Sequence, residues 1–256
     1  MDFISESTME HEPSWHTSYW PLILSFGVLF LVPLAFMGYF VYQSPIMAVV
    51  SLGVGLPLTI ISIIGWVKEG LADSHGYSEG HSIWAVPIFI ASEGLIFAAF
   101  FAAYWIMRFS APSWPPAGTP GKELFIPVIM TIILLASSVT IHVSENKMEH
   151  NDKGGFLTWL FITILLGVVF LGFSAYEWAE LFHKGFNFKT NVYSSAFYSI
   201  TGFHGSHVLV GIGIFLCVLL PALKGKVSKP FVTSAAIYWH FVDIIWLFVV
   251  TQVYFW

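Results

Sequence analysis

The chain alternates between long apolar runs and shorter polar connections. Seven runs, at about 20–42, 45–67, 82–107, 124–143, 156–177, 192–223 and 231–256, each reach twenty residues or more. At ~1.5 Å per helical residue, such a run crosses the ~30 Å of hydrocarbon in a bilayer. No water is available there to bind free N–H and C=O groups, so the element that satisfies its own backbone is the helix. The pattern therefore predicts seven transmembrane helices. The short alternating segments of an outer-membrane barrel are absent.

The connections divide these runs unequally. Only "YQSP" separates the first from the second, which makes them an antiparallel hairpin. The next connection, "KEGLADSHGYSEGH", is longer and polar and has flexible points at Gly76 and Gly80. The expected organisation is a polar N-terminal segment over 1–19, a two-helix bundle over 20–67, a linker over 68–81 and a five-helix bundle over 82–256.

Composition agrees. Of 256 residues, 57% are hydrophobic and only 10% charged, with a mean hydropathy of +0.77; a soluble domain needs roughly 25% charged residues. A net charge of -5, with no basic cluster beyond three lysines in one loop, argues against nucleic acid as a partner. The one cysteine, Cys217, lies in an apolar run, which excludes an intramolecular disulfide and any Cys-rich metal site. The N-terminal segment is acidic (Asp2, Glu6, Glu10, Glu12) where a cleavable signal would be positive, so the first span is expected to be retained. With the N-terminus inside, six basic residues (Lys68, Lys147, Lys153, Lys224, Lys226, Lys229) face the inner side and four (Arg108, Lys122, Lys184, Lys189) the outer. This favours a cytoplasmic or matrix N-terminus. Trp15, Tyr19, Trp20, Trp114, Tyr254 and Trp256 mark the interfaces.

Ionisable residues inside spans are expensive, so they are expected to face other helices. Glu93, about eleven residues into the third run, falls near half depth beside Ala91, Ser92 and Gly94. It reads either as a proton-handling carboxyl or as one hydrogen-bonded to a neighbouring helix. Asp243 follows His240 by three residues in the last run, so the two share a helix face and read as an internal ion pair or hydrogen-bonded clamp. Glu177 and Glu180 are placed near the end of the fifth run, within reach of the interface. His204 and His207, in "TGFHGSHVLVGI", share a face and so do not clasp one haem between them. Either could ligate haem together with His240, and His204, His207 and Asp243 could hold a metal. The favoured reading is hydrogen bonding across helices drawn together by Gly202, Gly205 and Gly211. A transporter would need broken helices and coupling-ion sites; Pro57 and Pro87 offer kinks, yet too few polar residues line any path.

Taken in order, "SYWPL", "SEGLIFAAFFAAYW", "SWPPAGT", "LLASSVT", "YEW", "TGFHGSHVLVGI" and "YWHFVDIIWLFVVTQVYFW" resemble subunit III of the haem-copper oxygen reductases, specifically of cytochrome c oxidase. The resemblance runs from about Trp15 to Trp256. It implies an all-α membrane protein of seven transmembrane helices, in a two-helix plus five-helix arrangement with a V-shaped cleft holding phospholipids. It implies an accessory subunit of a proton-pumping terminal oxidase, of the aa3 type, in a bacterial cytoplasmic membrane. This chain would carry no cofactor of its own. Haem and copper would lie in partner subunits, with subunit I the main contact, subunit II in the same complex and a respiratory supercomplex as a wider setting.

Carried onto this sequence, Glu93 matches the family's buried carboxylate near the route of proton entry into subunit I. His204, His207, His240, Asp243 and Glu177 match its internal polar positions. Trp66, Lys68 and Glu69 approximate its lipid-binding segment, joined by Trp20 and His81. Departures are also visible. Lys68 stands where arginine is expected, a double histidine is reduced to His81, a histidine pair after the fourth helix is replaced by Glu145 and Asn146, and Ser174 replaces a glutamine. They suggest a divergent bacterial member. The related subunit of a quinol oxidase or nitric oxide reductase is the nearest alternative, and a b-type cytochrome using His204 and His240 the alternative of another class.

Overall fold

The structure, a computed structural model, describes residues 18–72, 85–121, 123–225 and 229–255. Among them, seven helices are long and apolar enough to cross a membrane, and no strand occurs. The helices are α1 (Trp20–Leu29), α2 (Pro45–Ala72), α3 (Ala85–Ser110), α4 (Phe125–Glu149), α5 (Lys153–His183), α6 (Val192–Leu223) and α7 (Lys229–Val249). α1 continues through π-helical turns at Phe30–Leu34 and Met37–Val41, the first containing Pro33, which has no N–H to donate. α7 ends in a similar turn at Val250–Tyr254.

Several helices outrun the apolar stretches that announced them. α4 carries on through the polar "SENKME" to Glu149, and α5 has 31 residues, about 46 Å of helix. Hydropathy reads the thickness of hydrocarbon, whereas a helix propagates until its backbone is capped. α2 likewise extends to Ala72, into the predicted linker; His81 lies outside the described residues.

The chain divides into two compact units, Met1–Tyr77 and Ser78–Trp256. In the first, α1 and α2 form a tight hairpin because glycines let the backbones meet. A Cβ on Gly55 would lie 2.4 Å from the Leu31 backbone, and one on Gly65 the same distance from the Trp20 indole. The Ser18 hydroxyl donates to Glu69 Oε2 at 2.6 Å, tying the far end of α2 to the start of α1.

In the second unit, α7 is the axis. It packs on α3, α4 and α6, while α5 packs on α4 and α6. Of its most apolar 18-residue stretch, 56% is buried, against 11% for that of α3, which lies at the periphery. α4 and α5 form a hairpin whose turn places Asn151 at φ 57°, a left-handed conformation that asparagine tolerates. Asp152 caps α5 by accepting the Gly155 N–H at 2.9 Å and pairs with Lys147 at 3.1 Å. Those two contacts hold its carboxyl below the usual aspartate range. At the opposite end Lys184 binds Glu123 and Glu180, each at 2.7 Å, which raises its ammonium pKa.

Candidate functional site

The polar groups inside the five-helix unit fall into separate sets. The first joins α3 to α6. His207 Nε2 and Glu93 Oε2 are 3.0 Å apart, and His207 Nδ1 donates to the Phe203 carbonyl at 2.8 Å. A carbonyl can only accept, so Nδ1 carries a hydrogen, and the Nε2–Oε2 contact holds one further proton. That proton sits on the carboxyl, facing a neutral imidazole, or on the imidazole, facing a carboxylate. Phe97 and Phe203 frame the ring, with centroids 5.0 and 4.6 Å away. Glu93 lies about 12 Å from the start of α3, roughly one-third of the way along it. Its side chain keeps 18% exposure, so the pair sits at the edge of the bundle.

His204, one turn earlier, behaves differently. It is 1% exposed, its ring lies 5.1 Å from Trp246, 5.7 Å from Phe170 and 6.5 Å from Phe97, and neither nitrogen has a hydrogen-bond partner among the described residues. The expectation that both imidazoles bond across helices therefore holds for His207 and fails for His204, whose surroundings are aromatic. The glycine argument needs the same revision. Gly211 does permit close approach, since a Cβ there would lie 2.7 Å from the Trp239 ring, but the nearest atom to Gly205 is 4.0 Å away. The aromatic cage also leaves no open face at His204 for a porphyrin, so the residues do not fit a haem bridging His204 and His240. Nor are His204, His207 and Asp243 arranged as a metal set; each has separate surroundings, and no group of metal-holding side chains occurs among the described residues.

The second set joins α4 to α7. His240 and Asp243 do not pair directly. The Ser138 hydroxyl stands between them, 3.1 Å from His240 Nδ1 and donating to Asp243 Oδ2. Flanking it, Trp239 Nε1 donates to Ser137 at 2.9 Å and Trp246 Nε1 to Thr131 at 3.0 Å. Ser137 and Ser138 belong to "LLASSVT", and sequence reasoning gave them no role. The available signal was that α7 carries Trp, His and Asp groups needing partners, and hydroxyls on a neighbouring span are the cheapest ones.

Glu177 is also turned inward rather than toward the interface. It is 8% exposed and accepts the Tyr254 hydroxyl at 2.6 Å, beside a cavity of about 60 Å³. Its neighbour Glu180 does reach out, to Lys184. Of the lipid-contact candidates, Trp66 is 46% exposed and Lys68 exposed, Trp20 packs on Gly65, and Glu69 is held by Ser18.

Comparison with known proteins decides the family. The family described as "Cytochrome c oxidase subunit III" matches residues 14–256. The chain belongs to the cytochrome c oxidase subunit III family. Among relatives named cytochrome c oxidase subunit 3, one from Thermostichus vulcanus is 42% identical over 194 residues, covering 73% of this chain and 94% of the relative. One from Synechocystis sp. is 38% identical over 189 residues, covering 71% and 79%. One from Rattus norvegicus is 32% identical over 254 residues, covering 93% and 94%. As a member of the subunit III family with seven spans, the chain is a multi-pass membrane protein.

Proposed function

We propose that this chain is the non-redox accessory subunit of a proton-pumping cytochrome c oxidase, packed on catalytic subunit I with subunit II in the same complex. The observation that carries the reading is a family match running through all seven spans, inside which Glu93, Asp243 and Glu177 each meet a partner side chain of this same chain. Haem and copper belong to the partner subunits. The membrane is the bacterial cytoplasmic one, with the N-terminus on the cytoplasmic side and the C-terminus on the periplasmic side. Phospholipids contact the hairpin unit at Trp66 and Lys68.

Within that role the Glu93–His207 pair acts as a one-proton store. Because Nδ1 is committed to Phe203, only the Nε2–Oε2 proton is exchangeable, and the partial exposure of Glu93 gives it an outlet. Glu93→Gln keeps a hydrogen bond to Nε2 but removes the exchangeable proton. The assembled complex carrying it should turn over more slowly, or inactivate sooner, at high pH, where protons are scarce. An unchanged pH–rate profile would reduce the pair to packing. Assaying the purified complex with reduced cytochrome c and with a quinol identifies the electron donor, and a Soret band from the chain alone would overturn the non-redox reading.

A further inference from the structure

Two carboxyls are buried almost equally in the five-helix unit, yet only one of them is sealed. Asp243 is 5% exposed, and its Oδ1 is enclosed with no hydrogen-bond partner among the described residues. Glu177 is 8% exposed, and its Oε2 accepts the Tyr254 hydroxyl. Its Oε1 has no partner among the described residues either, but it is not enclosed. Glu177 lines the cavity of about 60 Å³. The carboxyl lies about 9 Å from the end of α5, and the cavity runs from the buried Glu177, Tyr193 and Tyr254 to the exposed Gly121, Glu123 and Lys184.

The lining decides what that space can hold. Its hydroxyl donors are committed: Tyr193 to the Val253 carbonyl, Thr119 to the Pro116 carbonyl and Tyr254 to Glu177. Lys184 directs its ammonium to Glu123 and Glu180 at the mouth. Acceptors remain, Glu177 Oε1 first among them, so the cavity suits a hydrogen-bond donor and not an anion. A buried water needs roughly 10–15 Å³ and a few polar partners, so there is room for several. Two carboxylates against one ammonium make the mouth negative, which concentrates protons there. Those ion pairs are exposed and therefore weak, so the mouth opens at little cost. The titratable groups facing Glu177 are Glu180 and Lys184 from α5, Glu123 from the segment before α4, Tyr193 and Tyr198 from α6, and Tyr254 from the turn after α7.

We propose that Glu177 is a proton-binding site, filled and emptied through water in this cavity. A hydronium in the cavity gives its proton to Oε1, which leaves water behind and turns the carboxylate into the acid, while Tyr254 goes on donating to Oε2. That this end of the unit faces the periplasm rests on the accessory-subunit reading; the exchange itself does not. The intact oxidase complex is purified, and its infrared spectrum is followed at stepped pH and after transfer to D2O. Subtracting the spectrum of Glu177→Gln isolates the carbonyl stretch of the Glu177 acid, and subtracting that of Asp243→Asn isolates any band from the enclosed carboxyl. The Glu177 band should grow on acidification and shift in D2O severalfold faster than a band from Asp243. A Glu177 band that ignores external pH, or that shifts as slowly as that of Asp243, would overturn the proposal. Ile126→Phe guards against misfolding of Glu177→Gln, because it narrows the cavity and leaves every ionisable group in place. Compared with wild type it should delay the D2O shift severalfold, and an unchanged rate would likewise overturn the cavity as the route. If this chain does not purify with haem-bearing subunits, the accessory-subunit reading fails, and the same spectra of the full chain in detergent still decide the proton site.

Discussion

Two of the seams that join helices of the five-helix unit through polar contacts are built on opposite principles. Between α4 and α7, hydroxyls on one helix each meet a fixed donor or acceptor on the other: Thr131 with Trp246, Ser137 with Trp239, Ser138 with His240 and Asp243. Between α3 and α6, one carboxyl meets one imidazole across a shared proton. The first seam spreads its bonds over serine and threonine hydroxyls that meet indole, imidazole and carboxyl groups; the second concentrates them in one carboxyl–imidazole pair that changes state by moving a proton. The difference teaches that a buried polar residue in a membrane bundle is structural or exchangeable according to what faces it, not according to its type.

The comparison can be broken most severely at Trp239. Its ring is fully buried against Gly167 and Gly211, so Trp239→Ala should destabilise the protein by about 3–5 kcal/mol in detergent unfolding. A loss under about 1 kcal/mol would mean that the α4–α7 seam is not the structural one. The histidines offer the next test. His207→Leu strands the Glu93 carboxyl and should cost about 1–3 kcal/mol. His204→Leu removes a caged ring with no hydrogen bond and should stay within about 1 kcal/mol of wild type. Equal penalties would erase the distinction drawn between them.

Ser138→Ala should cost about 1 kcal/mol by leaving Asp243 without its donor, with turnover of the complex unchanged, in contrast to Glu93→Gln. The smallest effect lies outside both seams. Because the folded Asp152 carboxyl is held below its ordinary range, its capping contribution is present above that range and fades as pH falls through the lowered value. Exchange of the Gly155 amide should therefore accelerate at acid pH, and Asp152→Asn should flatten that dependence. An identical acid profile in the variant would remove the cap from the account.

Much of this was legible in the chain. The seven spans, the α1–α2 hairpin and the turning of Glu93, His207 and Asp243 toward partners within the chain follow from hydropathy and from the expense of ionisable groups in lipid. α6 runs over Val192–Leu223, the predicted bounds. What escaped was partnership. Three-residue spacing put His204 and His207 on one face, yet a helix turns by about 100° per residue, so residues three apart point some 60° away from each other. In a crowded bundle that angle was enough to send one ring to Glu93 and the other into aromatics. Ser138 escaped for another reason: serine is too common in membrane helices to signal by itself.

The sequence alone determined the solvent, the number of spans and which side chains had to find protein neighbours, because those follow from the free energy of placing each residue in hydrocarbon. Only the tertiary structure decided which neighbour each one found, since contacts across helices depend on crossing geometry and on ring-sized gaps such as the Trp239 slot beside Gly211. Transfer energies add up along a chain. Hydrogen-bond geometry and packing are decided between helices, where no single stretch of sequence carries the information.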